Sequence, residues 1–85
     1  GEDMSNKEKL LQKILNNPQG VRFDEFDALL KYFGVECRRV RGDNFIYKRK
    51  GYQSLSIPRK TPVRSIYVKQ ALDLIEDLIE LNDER

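Results

Sequence analysis

Apolar residues in this chain recur at intervals of three and four near its two ends and alternate in its middle. In "SNKEKLLQKILNN", Leu10, Leu11, Ile14 and Leu15 share one stripe, the spacing of an amphipathic helix. Ser5 and Glu8 stand at capping-box spacing at its start, where each can satisfy an orphan backbone N–H. Asn16-Asn17-Pro18-Gln19-Gly20 stops it, because Pro18 disfavours a helical residue before it and Gly20 frees the turn. "RFDEFDALLKYFG" predicts a second helix, with Phe23, Phe26, Leu29, Leu30 and Phe33 on one face. Asp24 and Glu25 fall in its first turn, where the helix dipole favours negative charge, and Gly34 is placed for a left-handed C-terminal cap. Aromatics so spaced belong to a core rather than to a ligand-stacking surface.

The period then changes. "VECRRVR" alternates Val35 and Cys37 against Glu36 and Arg38, which places the Cys37 thiol in the interior. "NFIYKR" holds Phe45, Ile46 and Tyr47, and "YQSLSIP" alternates Leu55 and Ile57 with Ser54 and Ser56. Gly42-Asp43 and Lys50-Gly51 are the turn signals between these three strands, and connections this short predict an antiparallel meander. Tyr47 either stacks on a ligand or fills the core; counting by twos puts it with Phe45, on the core side. "VRSIYVKQALDLIEDLIEL" closes the chain as a helix with a broad apolar face. Its end is acidic, which the helix dipole does not favour, so packing must hold it. The expected fold is therefore α+β, a two-layer α-α-β-β-β-α arrangement with a three-stranded antiparallel sheet covered on one face by helices.

A chain of 85 residues predicts one domain with a thin core. The expected domain spans residues 5–82, with residues 1–4 a disordered N-terminus ahead of it, in which Gly1-Glu2-Asp3 reads as a tag remnant before a native start at Met4, and 83–85 a tail. No apolar run approaches the length of a membrane span, and no secretory leader is visible. With one cysteine, no internal disulfide and no metal-ligand spacing exist, so a reducing cytoplasm is the expected compartment and no metal or cofactor is expected.

Charge changes the picture more than composition does. The net charge is only +2, yet residues 38–69 carry ten bases against one acid, Asp43, while residues 70–85 carry six acids and one base. Charge segregated in this way creates a local positive field, and its natural partner is a phosphate backbone. The competing reading is a solvated basic surface, with Lys48-Arg49-Lys50 and Arg59-Lys60 guarding strand edges against aggregation. Both clusters fall in the same nearly acid-free segment, which favours phosphate contact. The expected RNA-binding residues are Arg39, Arg41, Lys48, Arg49, Lys50, Arg59, Lys60, Arg64 and Lys69.

A helix, three strands and a helix with a basic hairpin resemble the double-stranded-RNA-binding domain, which reads RNA shape through phosphate and 2′-hydroxyl contacts. From Lys9 to about Glu76 the chain more closely resembles the HicA family, small ribonuclease toxins of bacterial toxin–antitoxin systems. The matching landmarks are "VRFDEFDALLKYFGVE", the Gly42 turn, Ile46 and Tyr47 at the end of the second strand, "LSIP", and "PVRSIYVKQALDLIE". The resemblance implies a double-stranded-RNA-binding-like fold, endoribonuclease action on messenger RNA, and two partners: RNA and an antitoxin protein of the HicB type. It implies no membrane partner and no small-molecule cofactor.

The resemblance also locates the site. The family's motif is Gly-Ser-His followed by a hydrophobic and an aromatic residue; here it reads Gly42-Asp43-Asn44-Phe45-Ile46-Tyr47. The implied catalytic positions are Gly42, Asp43, Asn44 and Tyr47, with Asn44 standing where the family has its histidine. A side-chain amide hydrogen-bonds but does not carry a proton at physiological pH, and losing a general acid–base group costs about 10²–10⁴ in rate. The chain has no histidine anywhere, so cleavage is expected to be weak or absent. Three explanations stay open: a deliberate replacement of histidine, a natural loss of catalysis with binding retained, or another residue moving the proton. A non-catalytic module that binds RNA or an antitoxin is the alternative function.

Overall fold

The computed structural model, which describes residues 5–83, runs α1 (Asn6–Asn16), α2 (Phe23–Tyr32), β1 (Glu36–Arg41), β2 (Asn44–Lys48), β3 (Leu55–Pro58) and α3 (Ser65–Asp83). Local chemistry explains the helix ends. Ser5 Oγ accepts from the Glu8 backbone N–H at 3.1 Å and the Ser5 N–H donates back to Glu8 Oε1 at 3.2 Å, so the capping box forms as predicted. At the end of α2, Gly34 has φ +76, its N–H reaches the Lys31 carbonyl at 3.0 Å, and the Val35 N–H reaches the Leu30 carbonyl at 2.9 Å. Those two bonds are a Schellman motif, which satisfies carbonyls the helix leaves unpaired and turns the chain into β1. Helix α3 ends at Asp83, one residue into the expected tail. The expected disordered stretch 1–4 and the remainder of the tail lie outside the described residues.

The three strands pair in the order β1-β2-β3, all antiparallel, with β2 in the centre. Gly42 and Asp43 form the two-residue turn between β1 and β2; Gly42 at φ +62 occupies its first position, the pattern of a type II′ hairpin. The β2–β3 connection is longer than the sequence suggests. Tyr52 lies outside β3, packs against the core, and its carbonyl accepts from Lys48 Nζ at 2.7 Å. β1 is also less regular than predicted. Its register shifts between Cys37 and Arg39, so Arg38 has no partner on β2 and forms a bulge.

Helices α2 and α3 cover one face of this sheet, giving the two-layer α+β class. Phe26, Leu30, Tyr47, Ile57 and Ile75 are fully buried between the layers. Phe26 meets Tyr47 edge-on at 6.3 Å, and Phe23 meets Phe45 edge-on at 5.1 Å, a geometry aromatic pairs prefer. Each such side chain contributes about 1.5–3 kcal/mol by leaving water. Helix α1 lies outside α2, held by buried Ile14, a Lys13–Glu25 ion pair, and Lys7 Nζ 4.8 Å above the Phe33 ring. Not every predicted apolar position is used in the core. Leu15 on α1 and Ile66, Ile79 and Leu81 on α3 stay exposed, and Cys37 is only half-buried, its thiol donating to the Arg39 carbonyl at 3.4 Å.

Candidate nucleic-acid interface

Among the described residues, no helix lies over the second face of the sheet. Side chains alternate across a sheet, and Phe45 and Tyr47 point toward the helices, so Asn44, Ile46 and Lys48 point away from them. Register then assembles the open face in rows. Arg41, Asn44 and Pro58 form one row; Arg39, Ile46 and Ser56 form the next; Glu36 pairs with Lys48 in the third. Arg39, Arg41 and Lys48 are thus gathered around Asn44 and Ile46, with Glu36 as the acid on the same face.

The bulge makes this arrangement possible. Strict alternation from Cys37 would send Arg39 and Arg41 inward. With Arg38 accommodated as an extra residue, Cys37 and Val40 both fall on the helical side and the two arginines turn outward. The signal was present in the sequence: the apolar positions Val35, Cys37 and Val40 are spaced two and then three apart, a break in period that marks a bulge. Arg38, Glu36, Ile46 and Ser56 also belong to this surface, although none of them is among the expected site residues. Exposed Arg38 adds a further guanidinium at the β1 edge.

The other six predicted bases are elsewhere. Lys50 is exposed in the β2–β3 turn, and Lys60 and Arg64 are exposed between β3 and α3. Arg49 turns to the helical side, where its guanidinium donates to the Phe33 carbonyl at 3.0 Å and closes the end of α2. Arg59 sits 5.8 Å from the Phe45 ring centroid and 6.0 Å from that of Phe23, a cation over two aromatic rings. Lys69 lies on α3 beside Pro18 and Leu72, behind the helical layer.

Of the motif positions, Gly42 and Asp43 form the exposed turn, and the Asp43 carbonyl accepts from the Arg59 N–H at 3.0 Å. Asn44 is half-buried at the start of the central strand, on the open face. Tyr47 does not join it. Its ring is fully buried and its hydroxyl donates to Asp27 Oδ1 at 2.7 Å. Burial first, and the Asp27 hydrogen bond second, push the Tyr47 pKa far above its ordinary value, so the phenol stays protonated and faces α2. Among the described residues, no three Cys, Asp or Glu side chains are gathered where they could hold a metal ion. No helix among them is long and apolar enough to cross a membrane.

No family model, no curated protein and no solved structure matches the chain. What the surface can do therefore rests on its own chemistry. Three outward cations around an amide can hold an anionic backbone and hydrogen-bond to it.

Proposed function

We propose that the open face of the sheet binds RNA, and that the chain is a HicA-like toxin whose cleavage site is disabled at Asn44. One observation carries the reading: the bulged register of β1 brings Arg39 and Arg41 out beside Lys48 and Asn44, on the one sheet face that no helix covers. Phosphates meet the cations, and Ile46 at the centre offers an apolar contact for a base or ribose. The expected setting is the cytoplasm, and the expected protein partner is a HicB-type antitoxin laid over the same face.

In such a toxin the ribose 2′-hydroxyl would attack the adjacent phosphate while a side chain moves protons. Asn44 hydrogen-bonds without titrating, and Tyr47 is turned inward with its proton held tightly. Neither serves as a shuttle, which favours binding without cutting for the chain as it stands. A purely non-catalytic module for RNA or antitoxin is the second reading, and it shares the same surface.

Restoring a titratable group separates the two. Asn44→His is incubated with end-labelled RNA beside the parent protein, and both are titrated with RNA at two salt concentrations. Cleavage by Asn44→His alone, with salt-sensitive binding by both, supports the disabled toxin. Salt-sensitive binding with no cleavage by either supports the binding module. No salt-dependent binding by either protein overturns the RNA reading altogether.

A further inference from the structure

Away from the sheet, α1 and α3 frame an apolar groove whose α3 wall carries the opposite charge. Helices α1 and α3 leave between them a cleft of about 430 Å³ whose floor includes Leu11, Leu15, Leu72 and Ile79. Leu15 and Ile79 remain 49 % and 37 % exposed. Asp73, Glu76 and Glu80 line the same cleft from α3. Beyond Leu72 and Asp73 the groove continues toward Pro18 and Ile66, and Ile66 is 59 % exposed. Ile66 and Ile79 lie thirteen residues apart on one helix, which is about 20 Å of groove. That length fits a helical segment of three to four turns.

Charge identifies the occupant. Residues 70–83 contain no lysine or arginine, so the α3 wall is acidic from Asp73 to Glu80, with Lys69 a base at its Pro18 end. Nucleic acid and anionic lipid are repelled by such a wall. A second copy meeting this face across a two-fold axis would set two rows of carboxylates against each other. An apolar stripe flanked by lysine or arginine satisfies both the floor and the wall. We infer that the α1–α3 groove docks a basic amphipathic helix of a partner protein, independently of whatever the open sheet face binds.

The test uses the whole chain and a synthetic helical peptide of about eighteen residues, long enough to span the groove, with leucines at helical spacing and lysines on either side of them. A control peptide has glutamates in place of the lysines. Binding is followed by fluorescence anisotropy, and its location by amide chemical shifts. The lysine peptide is expected to bind and to move the amides around Leu15, Leu72 and Ile79, and the glutamate peptide is not. Glu76→Lys combined with Glu80→Lys, both at exposed positions, is expected to weaken binding of the lysine peptide about tenfold while the melting temperature stays unchanged. Leu15→Ser supplies a second variant that acts on the floor instead of the wall. Equal affinity for the two peptides, shifts confined to other surfaces, or a concentration-dependent dimer that buries the groove would each overturn the inference.

Discussion

The Tyr47 hydroxyl donates to Asp27 Oδ1 at 2.7 Å, joining the central strand of the sheet to the middle of α2. Asp27 is held on its other side by Lys31, whose Nζ lies 3.0 Å from Asp27 Oδ2. A hydrogen bond to a charged acceptor is worth about 1.5–3 kcal/mol. Tyr47→Phe keeps the ring and its packing on Phe26 while removing that bond. Chemical denaturation is expected to show a loss within that range, with RNA affinity unchanged because the side chain faces the helices.

The same contact sets a response to alkali. Burial and Asp27 raise the Tyr47 pKa in the folded state, and Asp27 raises that of Lys31. Their stabilisation is therefore complete below the unfolded-state values, near 10, and is lost as pH rises above them, where the unfolded chain releases protons that the folded chain retains. Melting temperatures are expected to fall from about pH 10 upward. Tyr47→Phe is expected to flatten this fall without abolishing it, since Lys31 still titrates.

Glu25 works in the opposite direction. Its hydrogen bond with Lys13 holds the carboxyl below its ordinary pKa, so the stabilisation is present above the unfolded-state value and is lost as pH falls through the folded one. Lys13→Met is expected to reduce the acid sensitivity of unfolding between about pH 5 and pH 3. A pH series of melting curves measures the difference.

Two arginines eight residues apart are expected to separate stability from binding. Arg49 donates to the Phe33 carbonyl, and a Cβ added at Gly34 would meet its guanidinium. Arg49→Ala and Gly34→Ala should each lower the melting temperature, the second more because Gly34 also has positive φ. Arg41→Ala should leave stability nearly unchanged, weaken RNA binding and reduce the salt slope by about 1.

The hairpin turn provides a backbone test. Gly42 has φ +62 and no atom within 4 Å of where a Cβ would stand, so a substitution there is penalised by conformation alone. Gly42→Ala is expected to cost about 1–2 kcal/mol, and Gly42→Asn less, because asparagine tolerates left-handed backbone better. For a domain of this size each kcal/mol lowers the melting temperature by roughly 4–8 °C.

The helices and strands were legible because their signals are local: a capping box within four residues, a glycine at the end of α2, a period of two in β2 and β3. The division of labour among the bases was not. Arg49 acts on a carbonyl sixteen residues away, Tyr47 on a carboxylate twenty residues away, and Arg59 on the rings of Phe23 and Phe45. Nothing near Arg49 or Arg59 in the chain marks it as a structural clamp, whereas Arg39 and Arg41 look identical by charge and stand on the uncovered face. α3 misleads in a related way. Its apolar face is wider than two layers can cover, so Ile66 and Ile79 read as core yet meet solvent.

The unpaired Arg38 makes the length of β1 as consequential as its composition. Delete that single residue and the bulge closes: Cys37 with Tyr47, Arg39 with Ile46, Val40 with Phe45 and Arg41 with Asn44 become consecutive pairs, so Val35 stays enclosed and both guanidiniums stay outward. Straighten the strand at its present length instead, and either Val35 and Cys37 or Arg39 and Arg41 must change sides. A one-codon deletion here would therefore spare both the interior and the cationic surface, whereas ironing out the bulge with Arg38 retained would sacrifice one of them.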